Sequence, residues 1–281
     1  MVTPTPPAPR PFWAFWRRRP IVPVIRLAGL IGSLPWLSGL SLAGLERAIE
    51  RAFAVRRAPA VALAINSPGG SAVQAALIAG RIRTLAERNQ RPVLAFVEDV
   101  AASGGYWLAT AADEILVDPS SILGSIGVIS ASFGFAQAIE RLGIERRVHT
   151  AGARKSFLDP FRPERAEDLA LLAELQGDIH ERFKEQVRTR RAGRLKAAEA
   201  ELFDGRVWTG TRAVEVGLAD GLGELRTTLE ARFGADVQVR LVNPPRPRLL
   251  SRMGLGTLAA EAAAEGLALL EERALRARLG L

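Results

Sequence analysis

The amino-acid sequence predicts an α/β domain built on a parallel β-sheet. Short runs rich in Val, Ile, Leu and Ala recur at 58–67 (APAVALAINS), 92–98 (PVLAFVE) and 114–119 (EILVDP). Their apolar residues are continuous rather than alternating, so both faces of each strand are expected to be covered. Segments of helical spacing separate them, and strands that alternate with helices belong to parallel sheets.

The elements follow in order. Residues 1–20 are Pro-rich, basic and aromatic (PRPFWAFWRRRP) and are expected to form a mobile tail, because that composition cannot build a core. Residues 21–31 (IVPVIRLAGLI) read as a first strand and 41–55 as a helix. The strand at 58–67 ends in the turn Ser67-Pro68-Gly69-Gly70, and Ala76, Leu77, Ile82 and Leu85 mark a helix over 71–88. After the strand at 92–98, AASGGYWLATAAD (101–113) reads as a turn entering a helix, and a third strand follows at 114–119. LGSIGVIS (123–130) is short and Gly-rich. A long helix is expected over 164–190, with Leu172, Leu175, Ile179, Phe183 and Val187 on one face. Leu218 to Leu225 closes the compact part, and an Ala/Leu/Glu/Arg helix is expected at 256–278, after the Pro cluster at 244–247. The organisation is thus a tail (1–20), one domain (21–240), and a Pro-rich linker with a C-terminal helix (241–281).

Composition narrows the chemistry. The chain has 281 residues, no Cys and only two His, His149 and His180. Thiolate metal sites, cysteine nucleophiles and multi-histidine cages are therefore excluded, and no metal or cofactor is expected. Of 38 basic residues 35 are Arg; the lysines are Lys155, Lys184 and Lys196. Arg keeps its proton in proteins, whereas a desolvated Lys can lose one. The net charge is +8, but acids alternate with Arg from Glu46 onward and aromatics are only 6%, so a nucleic-acid partner is not expected. Residues 1–45 are the exception, with Arg10, Arg17, Arg18, Arg19 and Arg26 and no acid. With Trp13 and Trp16, the first 20 residues suit peripheral contact with an anionic membrane. Residues 27–45 lack charge, yet eight of these 19 are Gly, Ser or Pro, so no membrane span is expected. The expected location is cytoplasmic, or peripheral at the inner membrane face.

Two strand-to-helix turns carry the candidate chemistry. INSPGGS (65–71) has tandem Gly that can turn backbone N–H groups outward. AASGGYW (101–107) sets Ser103 in a sharp turn with the N–H of Gly104 beside it, half of an oxyanion hole. Each turn alone is also compatible with an ordinary Gly turn or helix cap.

Taken together, INSPGGS, DVAASGGYWLATAADEI (99–115), LGSIGV (123–128), GARKS (152–156), FDGRVWTG (203–210) and GLADGLG (217–223) resemble the signal peptide peptidase A family of serine proteases. The resemblance covers roughly residues 20–230. It implies the Clp protease/crotonase fold, a spiral of ββα units around the parallel sheet, here with added C-terminal helices. It also implies a Ser–Lys dyad. Carried onto this chain, Ser103 matches the nucleophile and Lys155 the general base. Gly70 and Gly104 match the oxyanion donors, and Ser125 matches a serine that orients the lysine amine. Phe157, Leu158 and Phe161 are expected to desolvate Lys155, since a base must be neutral and a cation loses its proton more readily in an apolar setting. His149 and His180 are not expected to react, because 120–135 holds no His where related Clp proteases place theirs.

The function expected is a serine endopeptidase acting on signal peptides or other unfolded hydrophobic peptides through an acyl-enzyme, assembled as a homo-oligomer. The alternatives are a non-catalytic scaffold and a crotonase-like acyl-CoA enzyme. The first would have lost dyad residues. The second leaves Ser103 and Lys155 without a task.

Overall fold

A computed structural model describes residues 19–34 and 37–243. The tail expected at 1–20 lies, up to residue 18, outside the described residues. So do the Pro cluster and the expected C-terminal helix. Strand β1 (Ile21–Ala28) leads through a short hairpin, β2 (Ser33–Leu34) and β3 (Leu37–Ser38), into helix α1 (Leu42–Phe53). Then come β4 (Val61–Ser67), α2 (Ala72–Arg88), β5 (Val93–Ala102), α3 (Gly104–Ala109), β6 (Glu114–Val117) and β7 (Ile122–Gly124). A long excursion holds α4 (Ala136–Arg141) and returns along α5 (Ala166–Arg190). The chain finishes with α6 (Glu199–Leu202), β8 (Val207–Thr209), α7 (Gly210–Glu215), β9 (Gly221–Leu222), α8 (Leu225–Phe233) and β10 (Gln238–Leu241).

The sheet runs β10-β1-β4-β5-β6-β9, with all of these pairs parallel, as the uninterrupted apolar runs require. β4 shows why. Val61, Leu63 and Ile65 face one side, with Leu45 and Ile49 of α1, Ile78 and Ile82 of α2, and Leu108 of α3. Ala60, Ala62 and Ala64 face the other, with Leu229 of α8 beneath them. A strand covered on both faces gains about 1.5–3 kcal/mol for each large side chain removed from water, and its small residues admit the second helical layer closely.

β5 serves two neighbours. Its first half, Leu94–Val97, pairs with β6, and its last residues, Val100–Ala102, pair with β7. The register against β4 slips between Ile65 and Ser67, so β5 bends there. The bend carries the end of β5, and Ser103 after it, along a short branch of the same sheet made by β7 and the antiparallel β8.

Two expectations need correction. The compact part does not close at Leu225: α8 caps the Ala face of the sheet, and β10 pairs with β1 as its outer neighbour. Nor does the apolar face of α5 pack along its length. Phe183 and Val187 are buried, and Phe183 stacks on Trp107 with ring centroids 5.0 Å apart, but Leu175 and Ile179 are exposed. The first half of α5 extends beyond the sheet and the helices that cover it, so the described residues leave its apolar side uncovered.

A buried ion pair ties the end of α5 to the sheet. Arg191 is 2% exposed; Nε and Nη2 donate to the Gly217 carbonyl at 3.0 and 2.8 Å, and Nη1 donates to Asp220 at 2.7 Å. Asp220 also accepts from the N–H of Ile115 at 2.7 Å. Burial pushes its carboxyl up, but the bonds from Arg191 and Ile115 and the charge of Arg194 prevail, so it lies below the ordinary carboxylate value. Such a group adds stability above the unfolded value of about 3.9, and that contribution is lost as pH falls through the folded value. Removing one partner leaves the other charge buried. Asp220→Ala is expected to destabilise the fold by about 3–5 kcal/mol, and Asp220→Asn to flatten the acid limb of the stability curve; chemical denaturation between neutral and acid pH measures both.

Candidate active site

The site is assembled where β4 and β5 end side by side. Ser67, fully buried, closes the first turn: its Oγ donates to the Gly29 carbonyl at 2.7 Å and accepts from the Gly69 N–H at 3.2 Å. Ile31 then pairs with Gly70 as in a parallel ladder, its N–H bonding to Gly69 O and its carbonyl accepting from Ser71 N, each at 2.8 Å. In that ladder the N–H of Gly70 itself points to the opposite side. Gly70 has φ +135°, and a Cβ there would stand 2.1 Å from the Ile31 carbonyl oxygen, so only Gly serves.

Ser103 follows the end of β5 with φ +51° and ψ −122°. Non-Gly residues seldom hold a positive φ, and such strain concentrates at functional sites. Three bonds fix it. Its N–H donates to Gly124 O at 2.8 Å, and its carbonyl accepts from the N–H groups of Tyr106 and Trp107 at 3.0 and 3.1 Å. The side chain is half-exposed, and no hydrogen bond among the described residues engages its hydroxyl.

The two turns meet. A Cβ placed on Gly69 would lie 2.8 Å from Ser103 Cβ and 3.0 Å from Gly104 N, and one on Gly104 would lie 3.5 Å from Gly70 N. The nitrogens of Gly70 and Gly104 are therefore brought together beside Ser103. Neither N–H has an acceptor among the described residues. Two unpaired backbone donors next to a strained serine can receive the oxygen of a tetrahedral intermediate.

Ser125 lies directly after the carbonyl that holds Ser103 in place. Its own φ is +49°, its N–H donates to Arg206 O at 2.7 Å, and its carbonyl accepts from Gly127 at 2.9 Å. Two residues whose contribution sequence reasoning missed support this loop. His180 of α5 places Nε2 3.0 Å from the Ile126 carbonyl. Trp208 lies across from Leu123 in the β7–β8 pair, with Cδ1 2.9 Å from where a Gly124 Cβ would stand, so Gly124 leaves room for the indole. The signal for Trp208 was its place in FDGRVWTG; His180 had none, since α5 reaches this loop only through the fold. Tyr106 anchors α3 by donating to Leu218 O at 2.8 Å, and burial holds its phenol protonated well above the ordinary value.

Lys155 stands apart. It is exposed, and no hydrogen bond joins it to Ser103 or Ser125. Between Ile126 and Asp168 no residue is buried, so this segment forms an arm held mainly by its own contacts. Arg146 pairs with Asp159 at 2.9 Å, and Arg165 grips Asp168 with Nη2 at 2.7 Å. Phe135 packs on Phe161 with centroids 5.6 Å apart. The desolvation expected from Phe157, Leu158 and Phe161 is therefore not supplied by the described residues, among which the arm does not fold back onto the core. Structure thus unites Ser103, Gly70, Gly104 and Ser125, and leaves Lys155 and the exposed His149 on the arm.

The sequence profile of Peptidase family S49 matches residues 86–239. The Na(+)/H(+) antiporter NhaA of Brucella abortus (strain 2308) is 49% identical over 272 residues, which are 92% of this chain and 37% of that protein. The chloroplastic serine protease SPPA of Arabidopsis thaliana is 32% identical over 239 residues, 79% of this chain and 34% of that protein. This chain thus spans about a third of the length of these two relatives. The Synechocystis protein slr0021, whose name carries a provisional protease assignment, is 30% identical over 84% of this chain and 87% of its own length. The α/β architecture of this chain, with its mostly parallel sheet, is that of the Clp protease/crotonase-like fold, and the chain belongs to peptidase family S49.

Proposed function

We propose that the chain is a serine endopeptidase that cuts unfolded or hydrophobic peptides, signal peptides among them, through an acyl-enzyme. The observation that carries this reading is the strained Ser103 beside the two unpaired N–H groups of Gly70 and Gly104. A relative's name, signal peptide peptidase, supports the substrate class. Ser103 Oγ attacks the scissile carbonyl carbon while Lys155 Nζ takes its proton. The carbonyl oxygen becomes an oxyanion held by Gly70 and Gly104. Collapse breaks the C–N bond, and Lys155 returns the proton to the leaving amine. Water then hydrolyses the acyl-Ser103 ester with Lys155 again as base. Ser125 orients the lysine amine.

The dyad requires Lys155 to meet Ser103 away from water. We propose that a homo-oligomer provides this. The arm exposes Ile129, Phe133, Leu142 and Ile144 at 74%, 80%, 72% and 55%, apolar surface that a second copy can cover. Peripheral membrane contact through residues 1–20 is part of the same reading. The name of the Brucella relative, a Na(+)/H(+) antiporter, supports work beside a membrane, and no helix among the described residues is long and apolar enough to cross one.

A serine-reactive phosphonate followed by peptide mapping is expected to label Ser103 and no other serine. Ser103→Ala should lose turnover and keep its melting temperature. Labelling elsewhere, or turnover by the variant, would refute the nucleophile. Lys155→Arg retains the charge but cannot accept a proton. It should fall as far as Lys155→Ala, by about 10²–10⁴-fold in kcat, with peptide-aldehyde binding retained. Turnover near wild type would remove Lys155 as base.

A further inference from the structure

Because β1, β4 and β5 are parallel, their N-terminal ends share one pole of the sheet, and Ser103 lies at the other. Arg19, Arg56, Arg57 and Arg88 all fall within five residues of the start of β1, β4 or β5. The turns that carry them are joined. Arg91 Nη1 donates to Phe53 O at 3.2 Å and Val55 O at 2.8 Å, which fastens the turn before β5 onto the turn before β4. Val61 N donates to Pro92 O at 2.9 Å, and Gln238 N to Pro20 O at 2.8 Å. The four arginines are exposed, and none has an ion pair among the described residues.

Arg81, Arg83 and Arg232 on the flanking helices are matched, with Glu50, with Glu87 and Asp113, and with Glu114. The acids that approach the pole from the β6 side are thus engaged, and Asp236 is the acid on the β10 side. What remains is a set of guanidinium forks on a rigid base, suited to phosphodiester oxygens. Residues 1–18 precede Arg19 in the sequence and include Phe12, Trp13, Phe15, Trp16, Arg17 and Arg18. Trp favours the headgroup level of a bilayer, which selects lipid over nucleic acid as the source of the phosphate.

We infer that this pole is the surface on which the folded domain sits against an anionic bilayer, with lipid phosphates as ligands and the Ser103 end turned away. At about 3.3 Å per residue, the ten residues of β5 hold the nucleophile about 30 Å from the headgroups. The peptides cut are then those that have left the membrane, which refines the substrate class proposed above.

The test is sedimentation of the full chain with phosphatidylglycerol/phosphatidylcholine vesicles at low and moderate salt. Wild type should bind these and not pure phosphatidylcholine. Arg56→Glu/Arg57→Glu/Arg88→Glu should weaken binding by more than about tenfold, and the matching Gln triple should weaken it less. Arg47→Glu/Arg141→Glu/Arg154→Glu reverses the same number of exposed arginines without an ion pair elsewhere and should change binding by less than about threefold. The pole variants should keep the wild-type melting temperature and cleavage of a soluble peptide. Vesicle binding needs no substrate, so its failure is separate from failure of the peptidase reading. Equal loss in both Glu triples would reduce the effect to net charge and overturn the inference. So would binding abolished by deleting 1–18 yet untouched by the pole variants, or retention of duplex DNA without retention of vesicles.

Discussion

No side chain fits between residue 105 and the end of β4. A Cβ on Gly105 would stand 2.3 Å from the Ser67 carbonyl oxygen. This backbone-to-backbone approach lets α3 start directly against the neighbouring strand, and the site follows from it. With α3 so close, Ser103 must turn through a left-handed conformation to connect β5 to the helix. The same closeness draws Gly104 N to Gly70 N, whose own position is set by the pairing with Ile31. The strain at Ser103, of order 1–3 kcal/mol, persists because the bonds from Gly124, Tyr106 and Trp107 over-determine it.

Much of this was legible from residues. The strands at 58–67, 92–98 and 114–119 and the helix over 71–88 appear close to where the apolar runs and caps put them, because burial on both faces leaves a strong signal. The sharp turns that hold Ser103, Gly70 and Gly104 were legible because turn geometry restricts residue type locally, while the roles given to these residues rest on the family resemblance. What escaped depends on long-range contact. The bend of β5 toward β7 comes from a register slip against β4, and nothing in VLAFVEDVAA announces it. β10 is four residues long and only partly buried, too weak in pattern to read as a strand. The α5 face was misread because helical spacing reports amphipathicity, not whether a partner lies within the same chain. The same gap explains Lys155: sequence reveals the residue type that a proton acceptor needs but not what surrounds it.

The scarcity of lysine gains meaning from the ion pairs. Arg takes the structural work throughout, from Arg191 buried against Asp220 to Arg26 with two bonds to Glu98 at 2.8 and 2.7 Å. A planar fork suits these bidentate and carbonyl-directed roles better than an ammonium. Lys184 pairs with Glu181 on the surface and Lys196 is exposed in the loop after α5, which leaves Lys155 as the lysine on a motif position.

The pairing of β10 with β1 joins segments far apart in sequence. Asn243 accepts from the Arg26 N–H and donates to its carbonyl, each at 2.8 Å and 217 residues away. During synthesis, β1 emerges before both of its partner strands, with one edge for β4 and the other bare. That bare edge has no native cover until the ribosome has released the chain beyond Asn243. Unpaired strand edges recruit other chains, and long loop closures are slow. Until residues 238–243 have been made, β1 therefore carries an aggregation hazard along that edge.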